Sequence, residues 1–305
     1  IQPIEASQLG GVSAHADRAG DLRPSLQQLA SRHGICAATF ALIRHRELVS
    51  VDTGQGCGAE RALSADAVFQ AASLSKPVFA YAVLTLVRQG RLRLDDPISM
   101  HLPDGAVHRA APHRPTGWTD HVPAWRLSGI TVRMALNHTS GLPNWATPAL
   151  NGLRVDGALA DGTALAPLQF EQALSAFSLQ TTARDYGAFV AALLKDDSML
   201  QQIVERPVPM APGLGVRWGL GWGLAQGPAG DLLWHWGNNP GYRSFVMASP
   251  ASGDALVLFA AQDGGLVLAR PLAEAVFPGL HPLFRLPLLR DGLDSLLCEI
   301  VDLCG

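Results

Sequence analysis

Ser73 and Lys76 stand three residues apart at the head of an apolar stretch, and this pair carries the clearest chemistry in the chain. Residues at that spacing share one face of a helix, with Cβ atoms about 5–6 Å apart. A lysine so placed can take the serine proton once burial lowers its pKa toward neutrality. The serine would also lie at a helix N-terminus, where the backbone dipole favours a developing alkoxide. The same spacing fits a second reading, a capping serine followed by a solvated lysine in the first turn. Of the 23 basic residues only Lys76 and Lys195 are lysines, so each lysine carries information.

Other reactive residues point to less. His108, His113 and His121 share one stretch, but their spacing fits no common metal-ligand pattern and reads as a solvated loop. A Gly-x-Ser-x-Gly elbow is absent, which argues against a Ser-His-Asp hydrolase. Cys36, Cys57, Cys298 and Cys304 form no Cys-x-x-Cys pair, so a zinc site is not expected. Cys36 and Cys57 flank a hairpin and either face each other as a disulfide or stay as two buried thiols; the state of Cys298 and Cys304 is open. His138 reads as a structural residue at a helix end. Trp218, Trp222, Trp234 and Trp236 alternate along strand-like runs and read as core, with Trp236 the one candidate to line a pocket.

These residues need elements to hold them. Leu22, Leu26 and Leu29 mark a helix entered at Pro24 and stopped at Gly34. Two strand-like runs follow, Cys36 to Ile43 and Leu48 to Asp52, joined as a hairpin. Ser73 leads into a helix over Val78 to Gln89, ended by Gly90. Residues 103–128 read as a loop. Thr131 caps a short helix to Asn137, and Thr182 caps another from Ala183 to Lys195. The last third turns to strands, at Trp218 to Leu224, Leu232 to Trp236, Tyr242 to Ala248 and Ala255 to Ala261. A helix from Val267 to Phe277 closes the pattern. This order predicts an α+β fold, an antiparallel sheet flanked by helices plus a shortened helical region. Residues 1–72 and 205–305 would build the sheet part, and 73–204 the helical part carrying the nucleophile.

Composition sets the outer bounds. The 305 residues are 48% hydrophobic and 16% charged, as a globular protein requires. A net charge of −3 with no like-charge block argues against a nucleic-acid partner. The apolar runs are too short to span a bilayer. The first residue is Ile1 rather than methionine, which reads as a removed leader or a cut chain.

Taken in order, several motifs resemble the penicillin-recognising serine hydrolases, closest to class C β-lactamases and their esterase and peptidase relatives. They are Phe69-Gln70-Ala71-Ala72-Ser73-Leu74-Ser75-Lys76-Pro77, the Gln89-Gly90 to Asp95-Asp96-Pro97 stretch, His138-Thr139-Ser140-Gly141-Leu142-Pro143, Thr181-Thr182-Ala183-Arg184-Asp185-Tyr186, Trp218-Gly219-Leu220-Gly221-Trp222 and His235-Trp236-Gly237-Asn238. The resemblance implies an acyl-enzyme on Ser73, with Lys76 as proton partner. It places His235-Trp236-Gly237 where the family carries Lys-Thr-Gly, and implies an oxyanion hole from the backbone N–H groups of Ser73 and Asn238. Histidine in place of that lysine removes a fixed positive charge and tilts the expectation from β-lactams toward esters, amides or peptides. No metal or organic cofactor is implied. The partner would be a small molecule or peptide with a reactive carbonyl, and the compartment bacterial periplasm or exterior.

The family's Tyr-x-Asn motif has no counterpart: the tyrosines are Tyr81, Tyr186 and Tyr242, and none lies between Pro143 and Thr182. Three explanations follow. The protein has lost a catalytic segment and is a weak enzyme or a binding protein; His235, or Lys76 alone, does the acid–base work; or the molecule has residues outside this sequence. Acyl transfer to another acceptor would use the same intermediate.

Overall fold

The computed structural model describes residues 25–58, 62–109, 119–142, 174–227 and 229–289. Along the chain, α1 (Leu26–His33) precedes β1 (Ala38–Arg44) and β2 (Glu47–Gly54). Next, β3 (Phe69–Gln70) leads through a 3-10 turn (Ala72–Leu74) into α2 (Ser75–Arg88). A small hairpin of β4 (Ala106–Arg109) and β5 (Thr119–Val122) is followed by α3 (Ala124–Leu127) and α4 (Val132–Leu136). β6 (Gln180–Thr181) pairs with β3, and α5 (Ala183–Leu194) and α6 (Asp197–Val204) follow. The chain then runs through β7 (Val208–Ala211), β8 (Val216–Trp218), β9 (Gly223–Gly227), β10 (Gly230–Asn239), β11 (Tyr242–Ser249) and β12 (Asp254–Ala260) to α7 (Ala269–Val276).

Eight strands form one sheet in the order β2-β1-β12-β11-β10-β9-β8-β7, all of its pairs antiparallel. The α+β class read from the sequence is the one observed. Period-2 alternation divides the sheet's side chains between two cores. Leu233, Val246, Val257 and Phe259 pack with α2, α5 and α6. Trp234, Phe245, Leu256 and Leu258 pack with α1 and α7 on the other face. β12 is therefore buried on both faces, which is why it reads as an unbroken apolar run.

Local chemistry sets the element ends. Ser25 and Gln28 form a reciprocal capping box on α1, and Gly34 stops it at φ 64°. Thr131 and Thr182 accept from the backbone N–H groups of Met134 and Asp185, as their cap role requires. His45 and Arg46, at φ 50° and 68°, make the tight β1–β2 turn. Cys36 and Cys57 are bridged by a disulfide, which closes the alternative of two free thiols.

Four expectations change. The run Trp218 to Leu224 is not one strand: Gly219 and Gly221 break it into β8 and β9. A Cβ at Gly219 would come 2.2 Å from the Ile203 carbonyl oxygen, and one at Gly221 would come 2.3 Å from the Ala80 Cβ. The loop between the strands is thus pressed onto α6 and α2, a packing demand that outweighs strand propensity. Residues 103–128 hold a hairpin and α3, elements too short to leave a period. The closing helix begins as a 3-10 turn, Gly265–Leu268, and becomes α-helical at Ala269. β7 and α6 have no counterpart in the sequence reading. Cys298 and Cys304 lie outside the described residues. Among the described residues no helix is long and apolar enough to cross a membrane.

Candidate active site

Ser73 sits in the 3-10 turn that joins β3 to α2, and the backbone on each side of it is tied down. Ser244 Oγ on β11 donates to the Ala71 carbonyl at 2.8 Å. Ser75 Oγ donates to the Ala72 carbonyl at 2.7 Å, and Tyr186 on α5 donates to the Leu74 carbonyl at 2.9 Å. Three hydroxyls from three elements thus hold the carbonyls around Ser73. Ala72 itself adopts φ 49°, a left-handed conformation that costs a side-chain-bearing residue and persists only under such constraint.

Lys76 Nζ donates to Ser73 Oγ at 2.8 Å and to the Ala176 carbonyl at 3.2 Å. Burial lowers the lysine pKa from 10.5 to about 8, because a cation is poorly solvated there. Ser73 and Lys76 both stay half-buried, so the pair opens on a cleft. The solvated-lysine reading of the Ser-x-x-Lys spacing is therefore ruled out.

β10 brings the second half of the site. Its pairing with β9 covers only Gly230–Trp234, so the described ladder on that edge ends just before His235. Gly237 lies against the nucleophile turn: a Cβ there would come 2.7 Å from the Ala71 carbonyl oxygen and 2.9 Å from the Ala72 Cβ. Glycine is required by that approach. His235 lies two residues away, on the same face of the strand. It is 1% exposed, and its Nδ1 lies 2.7 Å from the Trp236 carbonyl. A carbonyl only accepts, so Nδ1 carries the proton and Nε2 is the bare nitrogen. Burial, then the Lys76 charge, pushes the His235 pKa well below 6.5, which makes the ring neutral. Asn238 is half-buried next to Gly237. Trp236 packs differently, although its ring still stacks on His235 with centroids 5.5 Å apart. Strand alternation turns it to the other face, where it packs with Trp218 and Trp234 on the second core.

The strand end is fixed by contacts the sequence reading did not foresee. Asn239 Nδ2 donates to Gln70 Oε1 at 2.9 Å and to the Phe177 carbonyl at 3.3 Å. Arg243 pairs with Asp263 at 2.8 Å, and Asp263 also accepts from the Gly241 N–H at 3.0 Å. No local signal marks these contacts, because their partners lie far apart in sequence.

Two of the three tyrosines are engaged away from Ser73 Oγ. Tyr186 is spent on Leu74, and the Tyr81 hydroxyl faces Asp196 at 3.5 Å. No described bond links a phenol to Ser73 or Lys76. Among the described residues no three of His, Cys, Asp or Glu cluster to hold a metal. His121 Nε2 instead meets the Asp104 carbonyl at 2.9 Å; the side chains of His108 and His113 lie outside the described residues. A cavity of about 650 Å³ exists elsewhere, near Pro209, Arg217 and Asp231 at the β7 edge, and none of the site residues lines it.

Comparison with known proteins places the fold and the family. Esterase EstB from Burkholderia gladioli is 26% identical over 208 residues, which are 67% of this chain and 43% of the esterase. The chain thus spans under half the length of that relative. A D-stereospecific amidohydrolase from Streptomyces superposes with a TM-score of 0.55 at 19% identity, covering 84% of this chain and 97% of that one. The D-alanine carboxypeptidase AmpC from Burkholderia cenocepacia gives 0.58 at 14%, covering 80% and 93%. The family described as Beta-lactamase matches residues 22–171 and 154–280, and on that span the chain belongs to the β-lactamase family.

Proposed function

We propose that this chain is a serine hydrolase that works through an acyl-enzyme on Ser73. The observation that carries the reading is the 2.8 Å bond between Lys76 Nζ and Ser73 Oγ, on a lysine whose pKa is lowered to about 8. In the neutral amine form, Lys76 takes the Ser73 proton while Oγ bonds the substrate carbonyl carbon. The oxyanion forms against the backbone N–H groups of Ser73 and Asn238. The carbonyl–leaving-group bond then breaks, and the proton passes from Lys76 to the leaving group. Water releases the acyl group by the reverse sequence.

The neutral His235 supplies no fixed cation for a substrate carboxylate, which favours esters, amides or peptides over penicillins. The names of the matched proteins, an esterase, an amidohydrolase and a carboxypeptidase, support a carbonyl substrate of that kind. The Cys36–Cys57 disulfide supports an exported bacterial location. A second reading, a binding protein on the same scaffold, is favoured by the missing phenol. Intact-mass spectrometry after incubation with a p-nitrophenyl ester separates the two. An acyl adduct on the wild type and none on Ser73→Ala is the expected result. No adduct on either protein, both folded, would favour the binding protein.

A further inference from the structure

His138 is a site-facing histidine that the proposed chemistry does not use. It follows the C-cap of α4 at φ 59°, and the Thr139 N–H closes the helix on the Met134 carbonyl at 3.0 Å. Glycine is the cheapest residue for that conformation. Backbone geometry therefore does not call for histidine here, so the reason lies in the ring.

The ring stacks on Trp218, with centroids 4.8 Å apart and planes at 27°. Trp218 in turn meets His235 edge-on at 5.2 Å. The three rings form a column that starts at solvent and ends in the core. His138 is exposed, Trp218 is 3% exposed and His235 1%. At the inner end, His235 Nε2 has no hydrogen-bond partner among the described residues. A buried imidazole nitrogen in that state stays neutral only while water is kept from it. Two indoles pack on the His235 ring, Trp236 stacked at 5.5 Å and Trp218 edge-on, and the outer stacking partner of Trp218 is His138. The charged or titratable groups acting on His235 are Lys76 from α2 and His138 itself. Desolvation of its ring where it stacks on Trp218, then the charge on Lys76, lowers the His138 pKa to about 4.

We propose that His138 is a positioning residue, whose ring clamps Trp218 over His235 and so holds His235 dry, in one tautomer and in one orientation beside the Ser73–Lys76 pair. The flat ring acts here, not its nitrogens. The inference rests on the proposed hydrolase only for its effect on rate; the column stands independently of it.

Two variants separate ring from nitrogen. His138→Gly removes the ring and suits the left-handed backbone, so it leaves the fold intact. His138→Phe keeps a flat face. The probe is the long-range ¹H–¹⁵N spectrum of the imidazoles from about pH 5 to about pH 9, with His235→Gln to assign the His235 signals. The wild type and His138→Phe should show His235 as one neutral Nδ1–H tautomer throughout. In His138→Gly that pattern should be lost and a titration step should appear. Acylation by the p-nitrophenyl ester should fall by about tenfold or more in His138→Gly and stay near wild type in His138→Phe. Unchanged His235 signals in His138→Gly, or a His138→Phe spectrum that titrates like it, would overturn the proposal. If the spectra behave as stated while wild type forms no Ser73 adduct, the column holds and the hydrolase reading falls.

Discussion

In the proposed mechanism Lys76 ties acylation to a stability cost. Its pKa of about 8 in the fold lies below the 10.5 of an ordinary lysine. Below pH 8 the native state must protonate a buried amine and bears the whole penalty. Between pH 8 and pH 10.5 the unfolded chain holds a proton the native chain has released, so stability rises with pH. The shift corresponds to about 3 kcal/mol. Lys76→Met should therefore stabilise the protein at pH 7 by about 1–2 kcal/mol, after the two hydrogen bonds to Ser73 and Ala176 are lost. Urea denaturation at pH 7 should show that gain, and at pH 10 it should largely vanish. Acylation by an activated ester should rise with pH through about 8 in the wild type and be lost in Lys76→Met. The Ser73–Lys76 pair is legible in the sequence because a three-residue spacing maps directly onto a helix face. Ser244 and Tyr186 are not, because each reaches the nucleophile turn from an element more than 100 residues away.

At the scale of elements, the site is a contact between the turn before α2 and the middle of β10. Gly237 makes that contact close enough. Gly237→Ala would force a methyl group against the Ala71 carbonyl, the Ala72 side chain and Ser244 Oγ, which would lie 2.2 Å away. The sheet can keep its β10–β11 pairing, since the clash is with the turn and one hydroxyl. The turn must then retreat, carrying Ser73 with it. The expected result is acylation reduced by about a hundredfold, with the far-ultraviolet circular dichroism spectrum unchanged. Unchanged acylation would show that the turn and strand need not touch. Elements with caps or long apolar runs were legible: Thr182 announces α5, and β12 announces itself by its unbroken apolar stretch. The loop from Gly219 to Trp222 was not. Its residues look strand-like, and only its packing against Ile203 and Ala80 turns it.

The molecule as a whole pairs the sheet and nucleophile helix of its family with a chain whose three tyrosines all lie outside residues 143–173. Family membership was legible in the order of the motifs, and so was the missing phenol, because a residue count needs no coordinates. What the sequence could not disclose is the consequence for the cleft, where His138 and His235, among the described residues, both feel the charge of Lys76. Acylation needs one base, and the lysine bonded to Oγ supplies it. Deacylation needs a base for water after Oγ is esterified; Lys76, neutral again once it has protonated the leaving group, must serve alone, without a phenol beside it, since His235 is buried too deeply to receive a water proton directly. Release of the acyl group should therefore be the slow half-reaction. A p-nitrophenyl ester in excess should give a burst of about one p-nitrophenolate per chain, followed by slower turnover. An acyl adduct should accumulate over the same interval, seen by intact mass. Raising the pH through 8 should speed the burst by increasing the neutral fraction of Lys76. Linear release with no burst, at a rate matching adduct formation, would mean that water finds a competent base in this cleft without a phenol.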